Sequence, residues 1–417
     1  MDQALLVGLN INGQYDQMAK SLDELEHLAL ALGIETKEKV IQNAHSITPK
    51  YYIGSGKVQE IKQMIPVMDI TMVIFDDTLS PAQLKNLEKE LEVQVMDRSF
   101  LILSIFALRA QSKEAVLEVS LAQKLYMLPR LIGLGNSLSR QGGGSYNSKG
   151  PGETKLELDR RKLVREISII KKELEKIDAE KELSRKQRKK NQITVVALVG
   201  YTNAGKSSIM NSLSEFLHHD SEPVFEKDML FATLDTKAKR LKKQNYPPFI
   251  LIDTVGFVSK LPHELIRSFE STLKDVIEAD LLLHVVDGYQ FDQQQIDTTK
   301  SVLKSINADE IERLLVFTKK EIAEKNPPVD EDYIFVSNRT KENIDTLVDA
   351  IYGHIYKESR ITHLLIPFDQ GQVYSQIKEN TTVLETKYDE NGTFVRVILT
   401  PDQQTLYKKF IMDKRAS

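Results

Sequence analysis

The chain has 417 residues, 41% hydrophobic and 28% charged, an ordinary globular composition with room for two or three domains that each bury a core. It holds no Cys, which excludes a disulfide framework and a thiolate zinc site. The net charge of −4 hides an asymmetry: Ser139 to Lys190 carries 16 Lys and Arg against 9 Asp and Glu, a local +7, leaving −11 for the remainder. One basic stretch on an acidic body suits a phosphate-bearing partner, and a solvated helical face is the plainer alternative. Apolar stretches such as Leu101 to Leu108 fall short of the ~20 residues that span a bilayer, and the start, MDQALLVGLN, lacks the features of a secretory leader. The expectation is a cytoplasmic, monomeric protein with no membrane and no DNA partner.

Residues 1–110 alternate short apolar runs (ALLVGL, TMVIF, VQVMD) with helical patterns, which predicts an N-terminal α/β domain with a mostly parallel sheet. Ser80-Pro81 is a helix start, with Ser as cap and Pro in the first turn. Gly54, Gly56 and Lys57 have the residue types of a phosphate loop without its spacing, and are read as turn glycines.

From about Lys113 the pattern lengthens. Leu156, Leu163, Ile167, Ile170, Leu174 and Ile177 form a heptad seam that needs a partner, and Leu117, Leu121, Leu125 and Leu128 supply one. Residues 111–191 are therefore predicted to be a long antiparallel helical hairpin. Its tip, SLSRQGGGSYNSKGPGET, contains Gly142, Gly143, Gly144, Gly150 and Gly152, which are read as forbidding regular structure. Arg140, Gln141, Gly142, Gly143, Gly144 and Lys149 in the loop, with Arg160 and Arg161 beside it, are candidate RNA contacts; a linker is the alternative.

Gly200-Tyr201-Thr202-Asn203-Ala204-Gly205-Lys206-Ser207, continued by Ser208, matches G-x-x-x-x-G-K-[ST] between an apolar strand and a helical pattern. Such glycines let backbone N–H groups wrap phosphates, Lys206 neutralises the β and γ oxygens, and Ser207 ligates Mg²⁺. Downstream, LFATLDT places Phe231, Ala232, Thr233, Leu234 and Asp235 on a loop where Thr233 completes the Mg²⁺ shell. FILIDTVGF then delivers Asp253 to the metal, followed by Thr254, Val255 and Gly256, whose N–H meets the γ-phosphate. Lys206, Thr233 and Gly256 are the candidate catalytic residues; Ser207, Thr233 and Asp253 are the metal ligands. The Ser207, Thr233, Asp253 spacing resembles that of Ras-like GTPases.

Where such GTPases carry N-K-x-D to read guanine, this chain has Thr318, Lys319, Lys320 and Glu321; Glu keeps the charge one methylene further out, and Thr is expected to brace the loop less than Asn. Ser337, Asn338 and Arg339 stand where a second base loop contacts the nucleotide. GTP is the expected substrate, with ATP tolerated. Phe257 occupies the place of the water-orienting Gln, so unaided hydrolysis should be slow.

These motifs, with YIGSGKVQEI, IFDDTLSPAQLKNLE, DRSFLILSIFALRA and the long LYMLPRLIGLGNSLSRQGGGSYNSKGPGETKLELDRR, make nearly the whole chain resemble the HflX-type GTPases. The resemblance implies an α/β fold. An N-terminal α/β domain and a helical hairpin precede a Ras-like P-loop GTPase domain over 192–357, and a small C-terminal α+β domain over 358–417 follows it. It further implies binding to the large ribosomal subunit and its rRNA and splitting of stalled or hibernating 70S particles, with K⁺ held near Asn203, for which capping the loop is the plainer alternative. An ATP- or GTP-dependent rRNA-remodelling enzyme, and an assembly or antibiotic-protection factor with weak hydrolysis, are the alternatives.

Overall fold

Apolar strands alternating with helical segments form a parallel sheet at the N-terminus of the computed structural model. It describes residues 2–139, 151–190, 193–217, 237–260 and 270–412, apart from 12, 14, 245, 324–325 and 358. The chain divides into two units. The first holds Met1–Ile177, Met229–Phe231 and Lys260–Glu270; the second holds Asp178–Asp228, Ala232–Ser259 and Ser271–Ser417.

In the first unit, strands β1 (Gln3–Asn10), β2 (Glu35–Asn43), β3 (Met72–Phe75) and β4 (Gln94–Asp97) pair in the order β2-β1-β3-β4, all parallel. β1 reads as a nearly unbroken apolar run because a parallel strand covered on both faces has no solvent side. Helices α1 (Tyr15–Ala31), α2 (Ser55–Val67), α3 (Pro81–Leu91) and α4 (Arg98–Arg109) connect and follow the strands. α3 starts as Ser80-Pro81 predicts, with a capping box in which Ser80 and Gln83 satisfy each other's backbone N–H groups. Gly54 caps α2, and Lys57 pairs with Glu60 at 2.7 Å, so that glycine cluster has a structural use. Buried Arg98 bonds Asp76 at 2.7 Å and also Glu24, while Asp97 caps α4 and takes Arg130 at 3.1 Å. Charges this deep persist because each is paired.

Helices α5 (Lys113–Ser139) and α6 (Pro151–Lys190) form the expected hairpin. Leu121, Ile167 and Ile170 are buried in its seam, packed by Leu117, Leu125, Leu128, Leu163 and Leu174, and Lys124 pairs with Glu166 at 2.6 Å. One expectation needs correction. Gly152 does not break the chain: it lies in the first turn of α6, behind Pro151, whose fixed φ and missing N–H suit a helix start.

In the second unit a six-stranded sheet runs β10-β9-β8-β5-β7-β6. It comprises β5 (Thr194–Gly200), β6 (Lys237–Leu241), β7 (Phe249–Asp253), β8 (Leu281–Asp287), β9 (Arg313–Thr318) and β10 (Tyr333–Phe335). All neighbours are parallel except β6, which is antiparallel to β7. Helices α7 (Lys206–Phe216), α8 (Glu270–Ile277), α9 (Gln293–Ser305) and α10 (Ile344–Ile355) accompany it, and Leu198, Ile209, Leu251, Leu283, Val316 and Leu347 are wholly buried in its core. The last turns of α6 meet α8: buried Arg185 bonds Asp178 at 3.1 Å and Asp275 at 3.3 Å. The basic tally of this stretch therefore overstates the charge free to meet a partner.

The C-terminal segment is the expected small α+β element. β11 (Arg360–Ile366), α11 (Gly371–Asn380), β12 (Thr382–Asp389), β13 (Gly392–Leu399) and α12 (Pro401–Leu406) form an antiparallel sheet in the order β11-β13-β12. Its hairpin closes on Asp389 opposite Gly392, with the Asp389 carboxylate accepting from the N–H groups of Asn391 and Gly392.

Candidate nucleotide site

The site lies at the carboxyl ends of β5, β7, β9 and β10, where open parallel sheets bind ligands. β5 ends at Gly200 and α7 begins at Lys206, leaving a short loop between them. Gly200 has φ +145°, and a Cβ there would lie 2.2 Å from the Val285 carbonyl oxygen, so only glycine fits. Asn203 is left-handed at φ +62° and exposed. Lys206 turns back over the loop and donates to the carbonyls of Tyr201 at 2.8 Å and Gly200 at 3.1 Å. Burial brings its ammonium down to about 8, with Asp253 opposing the fall.

Ser207 Oγ donates to Asp253 Oδ2 at 2.6 Å. A hydroxyl and a wholly buried carboxylate, from the first turn of α7 and the end of β7, are hard oxygen donors of the kind Mg²⁺ takes beside phosphate. They fit that ion. Thr233, the third expected ligand, lies outside the described residues together with Phe231, Ala232, Leu234 and Asp235. The hydroxyl of buried Thr202 has no partner among the described residues, which is unusual for a buried polar atom away from a ligand site.

The turn after β7 packs on the loop. Thr254 spends its hydroxyl on the Leu198 carbonyl at 2.6 Å, so it holds β5 and β7 together. Val255 is buried. Gly256 has no room for a side chain: a Cβ would sit 2.8 Å from Thr202 Cα and 2.9 Å from Lys206 Nζ. The next residue, Phe257, exchanges backbone hydrogen bonds with Gly200 and Thr202.

The base loop follows β9. Thr318 was expected to brace it poorly, yet its hydroxyl donates to the Ala204 carbonyl at 2.8 Å, tying β9 to the phosphate loop. Gly205 permits this approach, because a Cβ there would meet Thr318 Cγ2 at 3.3 Å. Lys319, left-handed at φ +61°, bonds Asp287 Oδ2 at 2.8 Å, and Lys320 pairs with Glu342. Glu321 is exposed. Beyond β10, Ser337 is buried and accepts from the Thr340 N–H at 2.9 Å; Asn338 has a buried carbonyl oxygen without a partner among the described residues, and Arg339 is exposed. Ser208 follows Ser207 on α7, half-buried.

Sequence reasoning missed Asp287 and the Tyr201 hydroxyl. Asp287 ends β8 as Asp253 ends β7, and its other oxygen accepts from the N–H groups of Tyr289 and Gln290. That parallel, an aspartate closing an apolar strand, was a usable signal. Of the RNA candidates, Arg140, Gln141, Gly142, Gly143, Gly144 and Lys149 lie outside the described residues. Arg160 and Arg161 are exposed on α6, 3.6 and 3.0 Å from Glu157.

A glycine-bounded phosphate loop opening a helix, a serine–aspartate pair for a hard cation and a glycine turn against the loop lysine define a P-loop GTPase. Family models agree along the chain: residues 19–107 match the "GTP-binding GTPase N-terminal" family, 109–188 the "GTP-binding GTPase Middle Region" and 195–319 the "50S ribosome-binding GTPase" family. The chain is 41% identical over 412 residues to GTPase HflX of Caldanaerobacter subterraneus, covering 99% of this chain and 94% of that one. Against GTPase HflX of Escherichia coli it is 36% identical over 400 residues, with coverage of 94% and 92%. The chain belongs to the HflX family of GTPases, as the resemblance implied. A solved GTP-binding protein from Sulfolobus solfataricus in complex with GDP aligns over 84% of this chain and 98% of its own at 24% identity, with a TM-score of 0.42.

Proposed function

We propose that this GTPase binds the large ribosomal subunit through its rRNA and splits stalled or hibernating 70S ribosomes, its hydrolysis being triggered by that partner. The observation that carries the reading is the placement of Phe257. It stands where a water-orienting Gln would, and its ring is buried, so beside the phosphate loop, Lys206 and the Ser207–Asp253 pair that accelerating side chain is lacking. An enzyme built this way depends on a partner, and the match of residues 195–319 to a 50S ribosome-binding family supports the ribosome as that partner.

Within the site, the phosphate loop cradles the β and γ phosphates with its N–H groups, and Lys206 exchanges its carbonyl bonds for phosphate oxygens. Mg²⁺ held by Ser207 and Asp253, joined by Thr233, offsets phosphate charge when bound, and K⁺ near the exposed Asn203 fits the same need. Thr318 fixes the base loop against the phosphate loop, so that Glu321 accepts from the guanine edge while Ser337, Asn338 and Arg339 close the other side. The hairpin loop from Arg140 to Lys149, with Arg160 and Arg161, is the end assigned to rRNA. The protein works as a cytoplasmic monomer. Sedimentation of 70S particles after addition of the protein and GTP tests the reading: free subunits are expected with GTP and not with GDP, and intact 70S in both cases would overturn it.

A further inference from the structure

Hydrolysis needs a water held in line with the γ-phosphate, and the side chain at position 257 cannot hold it. What the turn offers instead is backbone, and that backbone is fixed by the phosphate loop. Phe257 N donates to the Gly200 carbonyl at 3.1 Å and Thr202 N donates to the Phe257 carbonyl at 2.8 Å, so Tyr201 and Phe257 face each other as a parallel bridge. Two residues on, Ser259 N donates to Tyr201 Oη at 2.7 Å. Tyr201 is buried and Ser259 half-buried, so this bond is partly screened from water. The phosphate loop thus aligns the turn twice, with the main chain of Gly200 and Thr202 at 257 and the phenol of Tyr201 at 259. Between these bonds and Asp253 stands Gly256, packed so tightly on the phosphate loop that a Cβ there would press on Thr202 and Lys206.

We infer that Tyr201 is a positioning residue for GTP hydrolysis: its phenol oxygen fixes the turn from Gly256 to Ser259 so that backbone groups there orient the attacking water and the γ-phosphate. Tyr201 acts through Ser259 and touches no reacting atom with its side chain. The phosphate loop's own grip on the β-phosphate does not use the phenol, so nucleotide binding and turnover separate. The inference rests on hydrolysis alone and is measured without ribosomes.

Tyr201→Phe keeps the ring and removes the acceptor. It is expected to retain GDP affinity within about twofold and to lose about tenfold in kcat, the loss expected for one buried hydrogen bond. The affinity for GDP with aluminium fluoride, which mimics the transferred phosphoryl group, should fall by the same factor. Ser259→Pro removes the donor from the other side and should match it. Tyr201→Phe with Ser259→Pro should be no worse than either alone, because both break one bond. Unchanged kcat in Tyr201→Phe overturns the inference, as do equal losses for GDP and for the aluminium fluoride complex, which would make the phenol a structural support of the binding loop. Should Ser259→Pro not fold, the contrast between those two affinities in Tyr201→Phe still decides.

Discussion

Lys206 and His284 show how burial sets chemistry at single residues. Lys206 is still mostly charged at neutral pH in the free protein but loses its proton near pH 8, because burial lowers it to about 8, and phosphate oxygens raise it again when nucleotide enters. A group whose pKa rises on binding contributes fully below its free value and is lost above it. GDP affinity should therefore hold between pH 7 and 8 and then fall, approaching tenfold per pH unit above about 8; titration by nucleotide fluorescence checks this, and a flat profile to pH 9 contradicts it. His284, in the middle of β8, is buried with neither ring nitrogen bonded among the described residues, and burial, with lesser pushes from Arg313 and Lys300, brings it to about 3. It is neutral when folded but takes a proton near 6.5 when unfolded. Stability is thus complete above about pH 6.5 and drains toward pH 3 at about 1.4 kcal/mol per pH unit. His284→Leu should flatten that acid limb in urea midpoints measured from pH 7 to 4; an unchanged limb would place the acid sensitivity elsewhere.

Elements differ in how far they can be read before they are seen. The capping box at Ser80, the hairpin seam and the strand–loop–helix around Lys206 were legible because each depends on residues near one another in sequence, through capping chemistry, heptad spacing or glycine geometry. Three features were not. Thr318 braces the phosphate loop through a partner 114 residues away, and Tyr201 meets Ser259 across 58 residues, with no periodicity to announce either. Arg185 looked like one more charge in a basic run and is instead buried against Asp178 and Asp275. The hairpin also yields a test at its own scale. Its seam is built from α5 and α6 and does not use the loop, so deleting Gln141 to Lys149 with a short Gly-Ser link should leave GDP affinity and melting temperature near those of the parent while ending subunit splitting. Splitting that survives the deletion would assign the working end to another surface.

At the scale of the whole molecule, a site that brings together the phosphate loop, Lys206, Ser207 and Asp253 has Phe257 where a water-orienting Gln would stand, and a long helical hairpin with a basic tip sequence shares the chain. The P-loop class, the family and the order of elements could be read from motifs, because each rests on residues close together in sequence. Partner dependence is the central claim, and steady-state phosphate release from GTP and from ATP, each with and without purified ribosomes, tests it most directly. The account predicts slow release from GTP alone, at least tenfold stimulation by ribosomes, and slower turnover of ATP than of GTP in either condition. GTP turnover that ignores ribosomes, or equal use of both nucleotides, would contradict it.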